Sequence, residues 1–124
     1  MEYFEDYYLR LIHEMVRTVL KLLFNIDSEG ATTKIEQDVE QSEKYNELLE
    51  LAKSGKINEA ENMLYKEGFL KDKDDLLIGL MFYDYLVKMD NEFLEEHNYS
   101  KAEVKEGVEL LLKKYGYEDL SIFE

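Results

Sequence analysis

The chain has 124 residues, with 29 Asp and Glu against 15 Lys and Arg, a formal net charge of −14, and no Pro, Cys or Trp. The missing cysteines exclude a disulfide framework, a thiolate zinc site and a cysteine nucleophile, and the charge opposes non-specific binding to a phosphate backbone, so nucleic acid is not an expected partner. A hydrophobic content of 45% with ten Tyr and six Phe excludes disorder, and one domain that buries roughly two-thirds of its unfolded surface is expected.

The first predicted element is a helix from Tyr3 to about Asn25. Tyr8, Ile12, Met15, Val19, Leu22 and Ile26 recur at alternating intervals of four and three, which sets them along one side of that helix. Leu9, Val16, Leu20 and Leu23 form a second line. With Leu11 the two lines cover an arc of about 180°, wider than the ~100° stripe of an ordinary surface helix. Two readings follow: a central helix contacted by two or more helices of its own chain, or an interaction surface formed by the six residues of the first line and meeting a second copy. Arg10, His13, Glu14, Arg17, Thr18 and Lys21 take the remaining side. Arg17 and Lys21 also interrupt the most apolar stretch, far short of the ~20 residues that span a bilayer. Residues 1–6 lack the basic start of a signal peptide. The expected setting is therefore cytoplasmic, with no membrane as partner.

Asp27 to Thr33 has a turn composition and reads as a mobile connection. Helical spacing returns from Lys34 to Lys53 through Ile35, Val39, Tyr45, Leu48, Leu49 and Ala52, with a polar interval around Gln41 that has room for a break. Gly55 stands where a helix C-terminus wants a left-handed residue, and Asn58 suits the N-cap of a helix reaching Lys66, before Gly68. Leu76 to Met89 carries only Asp84 and Lys88 as charges and is expected to be the most buried helix. Gly79 inside it costs up to about 1 kcal/mol against Ala, which implies close approach of a neighbouring backbone. Asp74 and Asp75 precede this helix and favour its positive pole. Asp90 or Asn91 caps a short turn that holds Phe93 and Leu94 inward. Ser100 to Glu103 forms a capping box for a helix through Val104, Val108, Leu111, Leu112 and Tyr115, closed by Gly116. The tail, residues 117–124, keeps Leu120, Ile122 and Phe123 and is expected to dock on the body. The fold class is all-α, a single compact bundle of five to six helices.

Leu48 to Leu64 resembles the turn and second helix of a tetratricopeptide repeat: Gly55 and Ala60 match its small residues, and Leu48 and Leu51 sit where the first helix turns inward. The resemblance covers one repeat and lacks the closing Pro, so it implies one helical hairpin of that geometry. As a whole the chain resembles an uncharacterised family of short, acidic, all-helical bacterial proteins. That resemblance is carried by Tyr7 to Ile12 with Lys21 to Phe24, by Ile57 to Asn62, and by Phe93 to Ser100. It implies the helical fold and a bacterial cytoplasmic setting, and no catalytic residue.

The fragments that touch on chemistry are incomplete. His13-Glu14-Met15-Val16-Arg17 begins like a zinc protease helix, but Arg17 replaces the second imidazole and repels a cation. Glu95-Glu96-His97 offers ligand types whose side chains diverge by about 100° per residue on a helix, and His97 reads better as a group at a helix end. Asp72-Lys73-Asp74-Asp75 starts like a calcium loop, yet Leu77 and Tyr83 stand where Gly and Glu are needed. Asn98-Tyr99-Ser100 has the form of a glycosylation sequon and reads as a turn. Phe82, Tyr83 and Tyr85, with Tyr7, Tyr8 and Tyr45, line either the core or a groove for a small ligand.

No catalytic, cofactor-binding or metal residue is assigned on this pattern. The leading reading is a non-catalytic protein–protein interaction module, self-associating as a homodimer through helix 3–26. The alternatives are an acidic nucleic-acid mimic, supported by fourteen acids against six bases in residues 72–124, and a small-ligand binder with an aromatic-lined pocket.

Overall fold

Helical periodicity is realised along the described residues. In a computed structural model that describes residues 2–24 and 29–117, the elements in order are α1 (Glu2–Phe24), α2 (Glu29–Glu40), α3 (Glu43–Lys53), α4 (Ile57–Leu64), α5 (Lys73–Val87), α6 (Asn91–Glu96) and α7 (Lys101–Lys114), with no strand among the described residues. Seven helices exceed the five or six expected, because residues 34–53 divide into α2 and α3 and the turn after Asp90 is a helix in its own right.

The polar interval around Gln41 is the break. Ser42 is extended at φ −72° and ψ 133°, and its hydroxyl accepts from the Tyr45 N–H at 3.4 Å as the N-cap of α3. The Asn46 amide donates to the Glu40 and Ser42 carbonyls, both at 2.9 Å, and fixes the corner. Upstream, Glu29 to Thr33 belong to α2 and not to a connection. None of them is proline, and Gly30 costs only about 1 kcal/mol, which propagation of an established helix offsets. Residues 27 and 28 lie outside the described residues, as do Asn25, Ile26 and the tail from Glu118.

Between α3 and α4, Gly55 takes φ +88°, and the His97 imidazole occupies the space that a Cβ there would need. The N-cap of α4 is Lys56 and not Asn58. Asn58 lies in the first turn instead, where its amide donates across to the His97 and Asn98 carbonyls at 3.4 and 3.3 Å. The helix ends at Leu64, two residues short of the expected Lys66.

α5 is the axis of the bundle, as its composition requires. Eleven of its 15 residues are buried, and α1, α2, α3 and α7 all pack on it. It starts three residues before Leu76, at a full capping box: Asp72 accepts from the Asp75 N–H at 3.1 Å and Asp75 from the Asp72 N–H at 3.4 Å. Gly79 meets a neighbouring side chain, not a neighbouring backbone, since a Cβ there would stand 2.7 Å from Leu111 Cδ2. Asp90 caps α6 and Ser100 caps α7, the latter accepting from the Glu103 N–H at 3.2 Å. The core runs from Ile12 and Val16 of α1 through Leu48, Ile57 and Leu64 to Leu76, Leu80 and Leu86, and closes on Val104, Val108 and Leu111.

Candidate interaction surface

The six residues of the first α1 line do not form one exposed surface. Ile12, Met15 and Val19 are 0%, 2% and 3% exposed and belong to the core, where α1 meets α5 and α7. Tyr8 is half-buried, Leu22 is 58% exposed, and Ile26 lies outside the described residues. The broad apolar arc is thus covered largely by helices of the same chain. Among the α1 residues whose burial is described, Leu22 and Tyr7 remain apolar at the surface, the latter 48% exposed, about 60° apart around the axis at 3.6 residues per turn.

The adjoining face has a different character. Arg10, His13, Arg17 and Lys21 are all exposed, and at 3.6 residues per turn they fall within an arc of about 80°. Arg10 and Arg17 are the only arginines in the chain, and His13 is one of its two histidines. A chain of net charge −14 therefore concentrates its guanidinium groups on one ridge, with Glu14 between them. Behind the ridge, at the seam with α5, stands Asp84. Its side chain is 10% exposed, one oxygen lies 2.9 Å from Lys88 Nζ and the other 4.0 Å from His13 Nδ1. That second oxygen, Oδ1, is buried and accepts no hydrogen bond among the described residues. Burial, then the charges of Glu40 and Asp84, push the nearby Tyr45 phenol up to about 12.

A second polar group was not evident from composition. Glu61 Oε2 accepts from the Tyr83 hydroxyl at 2.6 Å and from the Tyr99 hydroxyl at 3.1 Å. Tyr65 adds a hydroxyl contact to Tyr83 at 3.0 Å and donates to the Gly107 carbonyl at 3.2 Å. Burial, then the neighbouring Tyr65 and Glu61, hold the Tyr83 phenol far above its ordinary range, and burial with the Glu61 charge does the same to Tyr99. Burial alone would raise Tyr65 further, but the Tyr83 hydrogen bond limits it to about 12. These phenols stay neutral at physiological pH, so the cluster is a clamp joining α4, α5 and α7. The signal for it was present: Glu61 sits with Ile57, Ala60 and Leu64 at the i, i+3, i+4, i+7 positions of a buried stripe, where a carboxylate needs partners.

The remaining candidates separate in space. Asp75, read as a helix-start acid, is buried and bound to Lys44 Nζ at 3.1 Å. Burial opposes its ionisation, but the Lys71 N–H, the Lys44 ammonium and the Asp72 N–H together hold the carboxyl below its usual range. Lys44 also donates to the Phe69 carbonyl at 2.8 Å. His97 ends α6, with Nδ1 at 2.7 Å from the Phe93 carbonyl and its ring 4.4 Å from that of Phe93. Phe82, Tyr83 and Tyr45 are core residues. Between α2 and the first turns of α5 opens a cavity of about 370 Å³, walled by Ile35, Val39, Leu77 and Ile78 with Asp38 and Asp74 alongside. Its described lining is aliphatic and acidic, and none of the aromatic residues weighed as a groove lining is among it. Of the eleven described acids from residue 72 onward, Asp75 and Asp84 are buried and bound to lysines.

Together these features define a small all-α domain with a cationic ridge on an acidic body, and no group of three or more His, Cys, Asp or Glu that could hold a metal ion occurs among the described residues. The chain belongs to a family of unknown function (DUF6483), whose model matches residues 2–116. No curated protein and no solved structure matches it. Among the described residues no helix is long and apolar enough to cross a membrane.

Proposed function

We propose that this protein is a non-catalytic protein-interaction module of the bacterial cytoplasm, and that the outward face of α1 receives an acidic, amphipathic segment of a partner protein. The observation that carries this reading is the gathering of Arg10, His13, Arg17 and Lys21 on one exposed ridge of a chain whose net charge is −14. A local cluster of exposed bases on an otherwise acidic body attracts a complementary charge pattern. Tyr7, half-exposed beside the ridge, supplies apolar contact. Self-association through this helix uses the same outer strip, since Ile12, Met15 and Val19 are buried. We also read the α3–α4 hairpin as one of tetratricopeptide type, with Ala52 and Ala60 fully buried where the two helices meet.

The test is a titration of the protein with a helical peptide carrying Glu at i, i+3 and i+7 and one Leu beside them, followed by NMR. Amide shifts confined to α1 and weakened by salt support the reading. Arg10→Ala with Arg17→Ala removes two exposed pairs of roughly 0.2–1 kcal/mol each, so affinity falls about 2- to 30-fold. Equal binding of the Lys analogue of the peptide would overturn the reading. Light scattering that finds a dimer, lost in the same double variant, would give the ridge to a second copy instead.

A further inference from the structure

Away from the α1 ridge, a cavity of about 370 Å³ opens between α2 and α5. That volume falls at the lower end of the ~300–1,000 Å³ usual for small-molecule sites. Its apolar wall comes from both helices: Ile35 and Val39 from α2, Leu77 and Ile78 from α5. Each helix also contributes one carboxylate to the lining, Asp38 on one side and Asp74 on the other, and no Lys or Arg is among the described lining residues. Ser42 completes the described lining, its hydroxyl already turned to the Tyr45 N–H as a cap.

This arrangement discriminates by chemistry. An anion is repelled by both carboxylates. A hydrated metal ion has no use for four aliphatic side chains, and a neutral hydrocarbon gains nothing from the two exposed carboxylates. A ligand with a methylene chain between two cationic ends satisfies every lining group at once. Its chain covers Ile35, Val39, Leu77 and Ile78 while each ammonium group faces an acid on a different helix. We propose that the α2–α5 cavity binds an aliphatic diammonium ion, a short diamine or polyamine in its protonated form.

The probe is 1,6-diaminohexane, added to the full chain and followed through the methyl resonances of Ile35, Val39, Leu77 and Ile78. Saturable shifts at these methyls are expected, weaker with hexylamine and absent with hexanedioate. Asp38→Asn and Asp74→Asn each remove one exposed charge partner and weaken binding roughly two- to fivefold, an effect typical of surface ion pairs. Asp74 also favours the N-terminus of α5, so circular dichroism on each variant separates lost affinity from lost helix. The proposal is overturned if the shifts spread evenly over Glu92, Glu95, Glu103 and Glu106, the mark of a diffuse counterion atmosphere. It is equally overturned if hexanedioate binds as well as the diamine, or if both Asn variants bind like the parent.

Discussion

Gly107→Ala offers the sharpest test of how α7 sits on α5. A Cβ at this position would fall 2.5 Å from Tyr83 Cζ and 2.7 Å from its hydroxyl oxygen. Tyr83 has nowhere to go, because its ring is fully buried and its hydroxyl is fastened to Glu61 and Tyr65. Overpacking of this kind costs about 1–3 kcal/mol. Displacing the ring also loses a hydrogen bond to a charged acceptor, worth roughly 1.5–3 kcal/mol. The alanine returns about 1 kcal/mol of helix propensity. The net expectation is a loss of about 1.5–5 kcal/mol, read as a lower urea midpoint by circular dichroism with an unchanged slope. Gly68→Ala meets no atom within 4 Å and costs only the strain of a left-handed alanine, about 1 kcal/mol. Shrinking the obstructing ring with Tyr83→Leu in the Gly107→Ala background should recover part of the loss, a coupling of about 1 kcal/mol or more. If Gly107→Ala is as stable as the parent, or the two substitutions are additive, Tyr83 does not rest on Gly107 and the reasoning fails.

The burial of α1 gives a second expectation: Ile12→Ala should cost about 2–5 kcal/mol and Leu22→Ala less than about 0.5 kcal/mol, so equal urea midpoints for the two would contradict the orientation of this helix. In acid, the depressed carboxyl of Asp75 contributes stability that is present above its unfolded value, about 3.9, and is lost as pH falls through the folded value. Urea midpoints measured from neutral pH downward should therefore decline in that range, less steeply in Asp75→Asn, which starts from a lower midpoint. In alkali the sign reverses: Tyr65 is pushed up to about 12 and Tyr83 and Tyr99 are raised as well. Their stabilisation is complete below the unfolded tyrosine value of about 10 and disappears as pH rises beyond it. Tyrosinate absorbance should then appear in two stages, exposed phenols first and the clamp together with loss of helical signal; a single smooth titration with helix retained would contradict the cluster.

Helix positions were largely written in the spacing of apolar residues, because a buried stripe at a 3.6-residue period has few other uses. The central place of α5 follows from a segment with two charges, and the corner at Ser42 follows from a polar interval with a capping hydroxyl. Which apolar face stays uncovered was not legible, since Ile12 and Leu22 are the same kind of residue until the neighbouring helices are placed. The Glu61 clamp was missed for a related reason: its partners come from Tyr65, Tyr83 and Tyr99, whose convergence depends on three helix crossings that no local pattern encodes. Asp75 was assigned by its place near a helix start, and only packing against Lys44 makes it an internal ion pair.

The two-sidedness of α1 has a thermodynamic consequence. Its inner line holds the helix to α5 and α7 through apolar contact, while its outer ridge is the surface we propose for a partner. A ligand that recognises the ridge only when the helix is docked must add its own binding energy to docking, by about 2.7 kcal/mol at a hundredfold excess over the dissociation constant. Occupancy outside would then be felt inside, as slower amide exchange along Ile12 to Leu20, and the melting point would climb with partner concentration.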